Sequence, residues 1–231
     1  MAKKRVLSSE LAYVLGLVIL GIGTVFMEKA DFGMSMVVAP AYVLHLVISP
    51  VLPFFTFGTA EYVFQGFLLL LMVPVLRRFR ISYLLSFATA FIYGMMLDGL
   101  LALGQALPVT QVLRFVYYIA GIVLCALGVT FLLRTYITPE AYELFVREAA
   151  EKTGKPTRVV KTVYDVCSCL LAVVLSFACF GFGVFRGVKW GTVVCALVNG
   201  MLIGMWDKLL LKRFTLTDSF PWRPFFTGNQ K

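Results

Sequence analysis

Residues 16–42 read GLVILGIGTVFMEKADFGMSMVVAPAY. An apolar helix runs into a charged knot of Glu28, Lys29 and Asp31, breaks at Gly33 and restarts near Pro40. Residues 121–142, GIVLCALGVTFLLRTYITPEAY, repeat this design. Gly16, Gly23, Phe26 and Lys29 align at one constant spacing with Gly121, Gly128, Phe131 and Arg134, and Pro40-Ala-Tyr42 answers Pro139-Glu-Ala-Tyr142. Working outward, Thr59 in GTAEY answers Thr162 in KTVYD, and residues 86–96 (SFATAFIYGMM) answer residues 192–202 (TVVCALVNGML), with Gly94 opposite Gly200. Ordered matches in four separate blocks point to an internal duplication.

With 60% apolar and 14% charged residues and a mean hydropathy of +0.89, the chain has more apolar surface than one soluble core of its size could bury. It reads as an all-α polytopic membrane helix bundle. A span needs about 20 mostly apolar residues, because lipid offers no partner to a free backbone amide. Six segments qualify: 11–28, 58–76, 82–103, 113–133, 162–185 and 190–208. Residues 34–57 are also apolar, but Pro40, Pro50 and Pro53 divide them, each removing a backbone donor. A short helix, re-entrant or lying on the surface, is expected there.

The duplication therefore spans three helices per half, so the second half enters the membrane from the opposite side. The expected architecture is one membrane domain over 1–231. It comprises two inverted repeats, 11–105 and 113–210, joined by broken or short connector helices, and a tail, 211–231. In transporters built this way the binding site lies near the midplane, between the halves. With six spans, all the lysines and arginines except Lys29, Arg114, Arg186 and Lys189 fall on one side. Positive-inside bias makes that side, with both termini, the cytoplasm, and the inner membrane of a bacterium is the expected location. The net charge of +9 thus belongs to topogenic loops rather than to a nucleic-acid surface. The N-terminal MAKKRV lacks a small-residue cleavage site, so an uncleaved first helix is expected.

The second connector shows its own helix start: Thr138 as N-cap, Pro139 at the first helical position and Glu140 as an early acid. The run from Ala141 to Gly154 places Tyr142, Phe145 and Ala149 at helical spacing, which predicts an amphipathic helix on the cytoplasmic face. Its first-half counterpart, PAYVLHLVIS, is almost wholly apolar and is expected to be buried.

The glycine series Gly16 to Gly23, the following Phe26 and Lys29, the segment Ala30-Asp-Phe-Gly-Met-Ser35 with Pro40 beyond it, Gly58-Thr59, and Gly94 followed by Asp98 resemble the YczE/YitT-type integral membrane proteins. The resemblance covers about 16–206. It implies a bacterial six-span membrane fold and brings no settled activity. Members often carry a glycine-rich connector in the second half; Tyr136 to Ala141 replaces it here.

Ionisable groups inside a membrane are costly enough to be functional candidates. Glu61 and Asp165 lie near equivalent positions of spans two and five, and two such acids entering from opposite faces could converge on a central cavity. They are the leading candidates for binding a cation or amine, or for carrying a coupling proton. Asp98 lies late in span three; Glu28 and Asp31 flank the break after span one, where free backbone groups can meet a substrate. Tyr62 and Tyr164 adjoin the paired acids. The knot's two acids have no counterpart in the second connector, which suggests that the first half supplies more of the site. His45, the one histidine, has no partner acid nearby in sequence, and Asn199, Gly94 and Gly200 read as helix-packing residues. The five cysteines show no ligand spacing and read as small core residues. No metal site, cofactor or catalytic group is expected.

These features favour a secondary permease for a small cationic, amine-bearing or zwitterionic solute, with the lipid bilayer as its surroundings and a homodimer as an expectation of class. The alternatives are a substrate-binding membrane subunit of an energy-coupled vitamin importer and a non-transporting assembly protein. No P-loop motif is present to bind ATP. An intramembrane aspartyl protease would need two acids sharing a proton; Tyr164-Asp165 matches half of its signature, but Asp98 is preceded by Met-Met-Leu rather than Gly-x-Gly. HExxH and GxSxG are missing too.

Overall fold

The computed structural model of the chain describes residues 5–77 and 79–221, without the side chains of Arg5 and Arg158. Lys3, Lys4, Arg78 and the end of the expected tail, 222–231, lie outside the described residues. Among the described residues, six helices are long and apolar enough to cross a membrane. They are α1 (Ser9–Ala30), α3 (Phe57–Leu76), α4 (Ile81–Gly104), α5 (Gln111–Arg134), α7 (Thr157–Phe180) and α8 (Trp190–Arg213). Two shorter helices, α2 (Ala39–Ile48) and α6 (Ala141–Thr153), fill the connectors. The chain is a multi-pass membrane protein.

Hydroxyl side chains start several spans. Ser8, Thr56 and Thr110 each accept the backbone N–H three residues on, at the heads of α1, α3 and α5, satisfying one of the amides that every helix start leaves free. α8 runs to Arg213, past the expected end at 208. There β2 (Phe214–Thr217) pairs in parallel with β1 (Arg5–Ser8), so the two ends of the chain lie on one face, as an even number of spans requires. Ser9 Oγ then donates to Asp218 Oδ1 at 2.9 Å, fastening the start of the 211–231 segment over the head of α1.

α1 and α5 form the centre of the bundle. A Cβ on Gly121 would lie 3.0 Å from Gly23 O, and one on Gly128 2.8 Å from Gly16 O, so these positions must stay glycine for the backbones to approach this closely. The two contacts run in opposite directions along the helices, and the repeat alignment exchanges one for the other. That is an inverted two-fold. The remaining packing follows it: α4 lies on α1 as α8 lies on α5, and α2 lies on α7 as α6 lies on α3. The symmetry fails at one seam. Gly58 and Gly94 bring α3 and α4 into backbone contact, whereas Gly200, the mate of Gly94, has nothing within 4 Å of a Cβ, and α7 and α8 touch only briefly.

Both connectors dip into the bundle. Ser86 Oγ donates to Pro139 O at 2.8 Å and Thr89 Oγ1 to Thr138 O at 3.0 Å. The first amide of α6, Ala141 N, donates to Gln65 Oε1 at 3.0 Å. Gln65 lies near the middle of α3, so α6 starts near the bilayer midplane. It ends beside the last turn of α3, where Lys152 Nζ donates to Val75 O at 2.7 Å. In the other half, Ser168 Oγ, at the middle of α7, lies 3.5 Å from Val37 O just before α2. α2 then returns to the face opposite the termini, where His45 Nδ1 lies 3.0 Å from Phe55 O. At Gly33 φ is +110°, and a Cβ would lie 2.8 Å from Lys189 N; a glycine is required for this turn inward.

α6 is therefore a re-entrant helix between α3 and α7, and the surface amphipathic helix expected from its sequence is corrected. The reason is the direction of its glutamates: Glu140, Glu143 and Glu148 are all buried, because each meets a polar or charged partner on a span rather than water. Thr138 is likewise not the cap; the N-cap place falls two residues later, on Glu140, whose carboxylate is turned to α3. The reading of the cysteines is corrected in part. Cys125 and Cys195 are buried, but Cys167 and Cys179 lie on the exposed side of α7.

Candidate functional site

The starts of α2 and α6 meet beside the α1–α5 pair at a cavity of about 40 Å³. Ser35 and Val38 line it from the first connector, Glu140, Tyr142 and Glu143 from the second, Thr24 from α1, Cys125 from α5, Tyr93 from α4, Lys161 from α7 and Asn199 from α8. Every helix except α2 and α3 reaches its wall, α2 coming to it only through its N-cap residue Val38, and α3 supplies the layer behind.

That layer is a carboxylate pair bridged by an amide. Gln65 Nε2 donates to Glu140 Oε2 at 2.9 Å and stands 3.4 Å from Glu61 Oε2, which also accepts from Tyr142 OH at 2.9 Å. Glu61 is 0% and Glu140 2% exposed, and the second oxygen of each, Oε1, has no hydrogen-bond partner among the described residues. A buried carboxylate oxygen without a donor is costly as an anion. It holds a proton or faces a ligand. Glu143 and Asp165, 7% and 9% exposed, complete the cluster, with Lys161 Nζ 2.9 Å from Asp165 Oδ1. Burial, followed by the charges of Glu143 and Glu61, pushes the Glu140 carboxyl well above the usual carboxylate range, although Gln65 pulls the other way. Burial raises Glu143 as well, and Lys161 opposes it.

Four carboxyls thus share one ammonium and two helix N-termini, each worth about half a positive charge, so about two negative charges would stay uncompensated if all four acids ionised. The hydroxyls on the wall do not offset this. Thr24 Oγ1 gives its proton to Leu20 O at 3.0 Å, which leaves Tyr93 OH, 2.9 Å away, to donate to Thr24. Tyr142 gives its proton to Glu61. These groups keep lone pairs, not protons, for whatever occupies the cavity. Among the described residues no set of three histidine, cysteine or acidic side chains is placed to hold a metal ion.

Of the candidates named from sequence, Glu61, Asp165 and Tyr164 lie in this cluster. Tyr164 packs at 6.4 Å from Tyr142 and 5.4 Å from Phe145, centroid to centroid. The other four lie elsewhere. Asp98 accepts from Gly58 N at 2.8 Å and from Thr56 Oγ1 at 2.6 Å, holding the head of α3 against α4. Tyr62 stacks on Phe91 beside the glycine seam. Asp31 pairs with Arg114 at 3.2 Å and with Lys189 at the face opposite the termini, with Glu28 one helical turn before it. The first half's charged knot is therefore a surface clasp, and the second half supplies three of the cluster's four acids, Glu140, Glu143 and Asp165, against the sequence expectation. Gln65, Lys161, Glu140 and Glu143 were not legible as site residues. Gln65 carries no charge and the other three read as solvated, although an amide inside an apolar span is a usable signal.

The model of the DUF6198 family matches residues 7–208. The chain belongs to this family, whose function is unknown. No curated protein and no solved structure matches the chain. The DUF6198 match takes in both re-entrant segments and every residue of the carboxylate cluster.

Proposed function

We propose that this DUF6198 protein is a permease for a small amine-bearing, cationic or zwitterionic solute, working by alternating access to the cavity between its inverted halves. The observation that carries the reading is the meeting of two re-entrant helix starts, one from each repeat, at a cavity of about 40 Å³ beside buried acids. In secondary transporters built from inverted repeats, broken helices at the midplane form the site around which the halves rock. The cavity is completed within one chain, so the reading does not need a partner subunit or a dimer. A vitamin-sized solute would not fit a space of this volume, which favours the permease over an importer subunit. Kinship with the YczE/YitT-type proteins, residence in a bacterial inner membrane and cytoplasmic termini belong to the same proposal, the last on the positive-inside bias.

The test is solute flux into liposomes carrying the purified protein, followed by light scattering with methylammonium, ethanolamine, glycine and urea. Flux above that of empty liposomes, lost in Val38→Phe, which fills the cavity, is the expected result. Rates equal to empty liposomes for all four solutes would overturn the proposal.

A further inference from the structure

The solute's chemical class follows from volume, charge and hydrogen-bond polarity together. A buried water needs roughly 10–15 Å³ of such space, so the cavity holds a solute of about three non-hydrogen atoms. Ionisation of all four acids would leave an uncompensated negative charge around it. Thr24, Tyr93 and Tyr142 have spent their protons on protein acceptors, and Glu140, on the cavity wall, has an oxygen, Oε1, with no donor among the described residues. Leu20, Val37, Val38 and Val129 supply an apolar side. An anion would meet carboxylates, and a bare metal ion would lack a ligand set. A primary ammonium with a short alkyl tail suits these walls: N–H donors for the acid and the hydroxyl lone pairs, and a methyl for the valines.

We propose that the cavity binds a primary alkylammonium of two or three heavy atoms in exchange for a proton held by the Glu61–Gln65–Glu140 bridge. The step is balanced: a neutral carboxyl and an incoming monovalent cation give a carboxylate–ammonium pair and a released proton, so the charge within the membrane does not change. Glu140 is the group that touches the solute, and Gln65 and Glu61 position it and share the proton. Other titratable groups face the bridge: Tyr13 from α1, Tyr93 from α4, Cys125 from α5, Tyr142 and Glu143 from α6, and Tyr164 from α7, with Lys161 and Asp165 of α7 beside Glu143 and Cys195 of α8 beside those two. Lys161 is the cation among them and is engaged by Asp165. It balances one acid and leaves the bridge to the proton or the solute.

The inference rests on the cavity being a solute site, not on transport, and its test is a binding measurement. Methylammonium chloride is titrated into the detergent-solubilised protein in weak phosphate buffer, with calorimetry for affinity and a pH indicator for protons. The expected result is about one proton released per methylammonium bound and an affinity about tenfold weaker for each pH unit of acidification below the bridge's pKa. Glu140→Gln and the cavity-filling Val38→Phe should each lose at least tenfold in affinity, whereas Asp98→Asn, at the α3–α4 cap, should retain it. No binding, binding without proton release, equal binding of sodium, or unchanged affinity in Glu140→Gln and Val38→Phe would overturn the inference. The proton count on the wild type decides the matter even if a variant fails to fold. Flux of methylammonium or glycine without proton release would leave the permease standing and defeat the exchange; proton release without flux in liposomes would do the reverse.

Discussion

Gln65 donates to Glu140 at 2.9 Å, and through this contact the middle of a span in the first repeat holds the N-cap residue of the re-entrant helix of the second. The same amide accepts Ala141 N at 3.0 Å and stands beside Glu61. One uncharged side chain thus fixes how deep α6 enters and how close the two carboxyls come.

Gln65→Leu keeps the volume and removes all three contacts. It leaves Ala141 N and Glu140 without a partner in a dry interior and Glu61 with Tyr142 OH alone, and each lost bond to such a group costs about 1–3 kcal/mol. The expected outcome is a loss of about 3 kcal/mol or more in stability, read from unfolding in detergent. A variant as stable as wild type would mean that the bridge does not hold α6 in place.

The six spans are legible in the sequence because lipid demands a long apolar run wherever the chain crosses, and Gly16, Gly23, Gly121 and Gly128 announce the central crossing by their common spacing. The depth of α6 is not legible. Tyr142, Phe145 and Ala149 give the helix one apolar face, and periodicity alone assigns its glutamates to water. Their partners, Gln65, Lys161, and for Glu148 the pair Arg80 and Tyr83, lie on other helices, and no local pattern records a contact across such separations. Asp98 was misleading for the opposite reason: an acid inside a span draws attention, yet two donors at the head of α3 fully occupy it.

The broken symmetry of the glycine seams gives paired expectations. A Cβ at Gly94 would lie 2.5 Å from Gly58 O and 3.0 Å from Tyr62 Cδ1, so Gly94→Ala must push α3 and α4 apart, at about 1–3 kcal/mol for overpacking. Gly200→Ala, at the equivalent place in the second repeat, meets nothing and should change stability by less than about 0.5 kcal/mol. Thermal unfolding of the two variants side by side checks this; equal losses would mean that α7 and α8 close on each other in solution as α3 and α4 do.

The two acid clasps at the membrane surface should also differ. Asp98→Ala removes an acceptor from a helix head and from Thr56, and is expected to cost about 1–2 kcal/mol. Asp31 is 53% exposed in its pair with Lys189, and exposed pairs are worth about 0–1 kcal/mol. Its φ of 54° is one that asparagine also tolerates, so Asp31→Asn should be nearly silent. Unfolding midpoints in detergent rank the two, and a reversed order would contradict these assignments.

The acid cluster should make the fold sensitive to alkali. Glu140 and Glu143 have carboxyls raised above the ordinary range, so between their unfolded and folded pKa values the folded chain binds more protons than the unfolded one. Stability is therefore complete below about pH 4, near the unfolded carboxyl pKa, and is lost as pH rises through the folded values. In phosphate buffer free of amines, the unfolding midpoint is expected to fall between pH 5 and pH 8. Each proton retained only by the folded state contributes up to about 1.4 kcal/mol per pH unit. Glu140→Gln, which cannot ionise, should flatten the curve by about one proton's share. Adding methylammonium should restore the wild type at the alkaline end, since the cation takes the place of the missing proton, and should do nothing for Glu140→Gln. If wild type and variant show the same slope, Glu140 is not the group that loses its proton, and the exchange has to be sought elsewhere in the cluster.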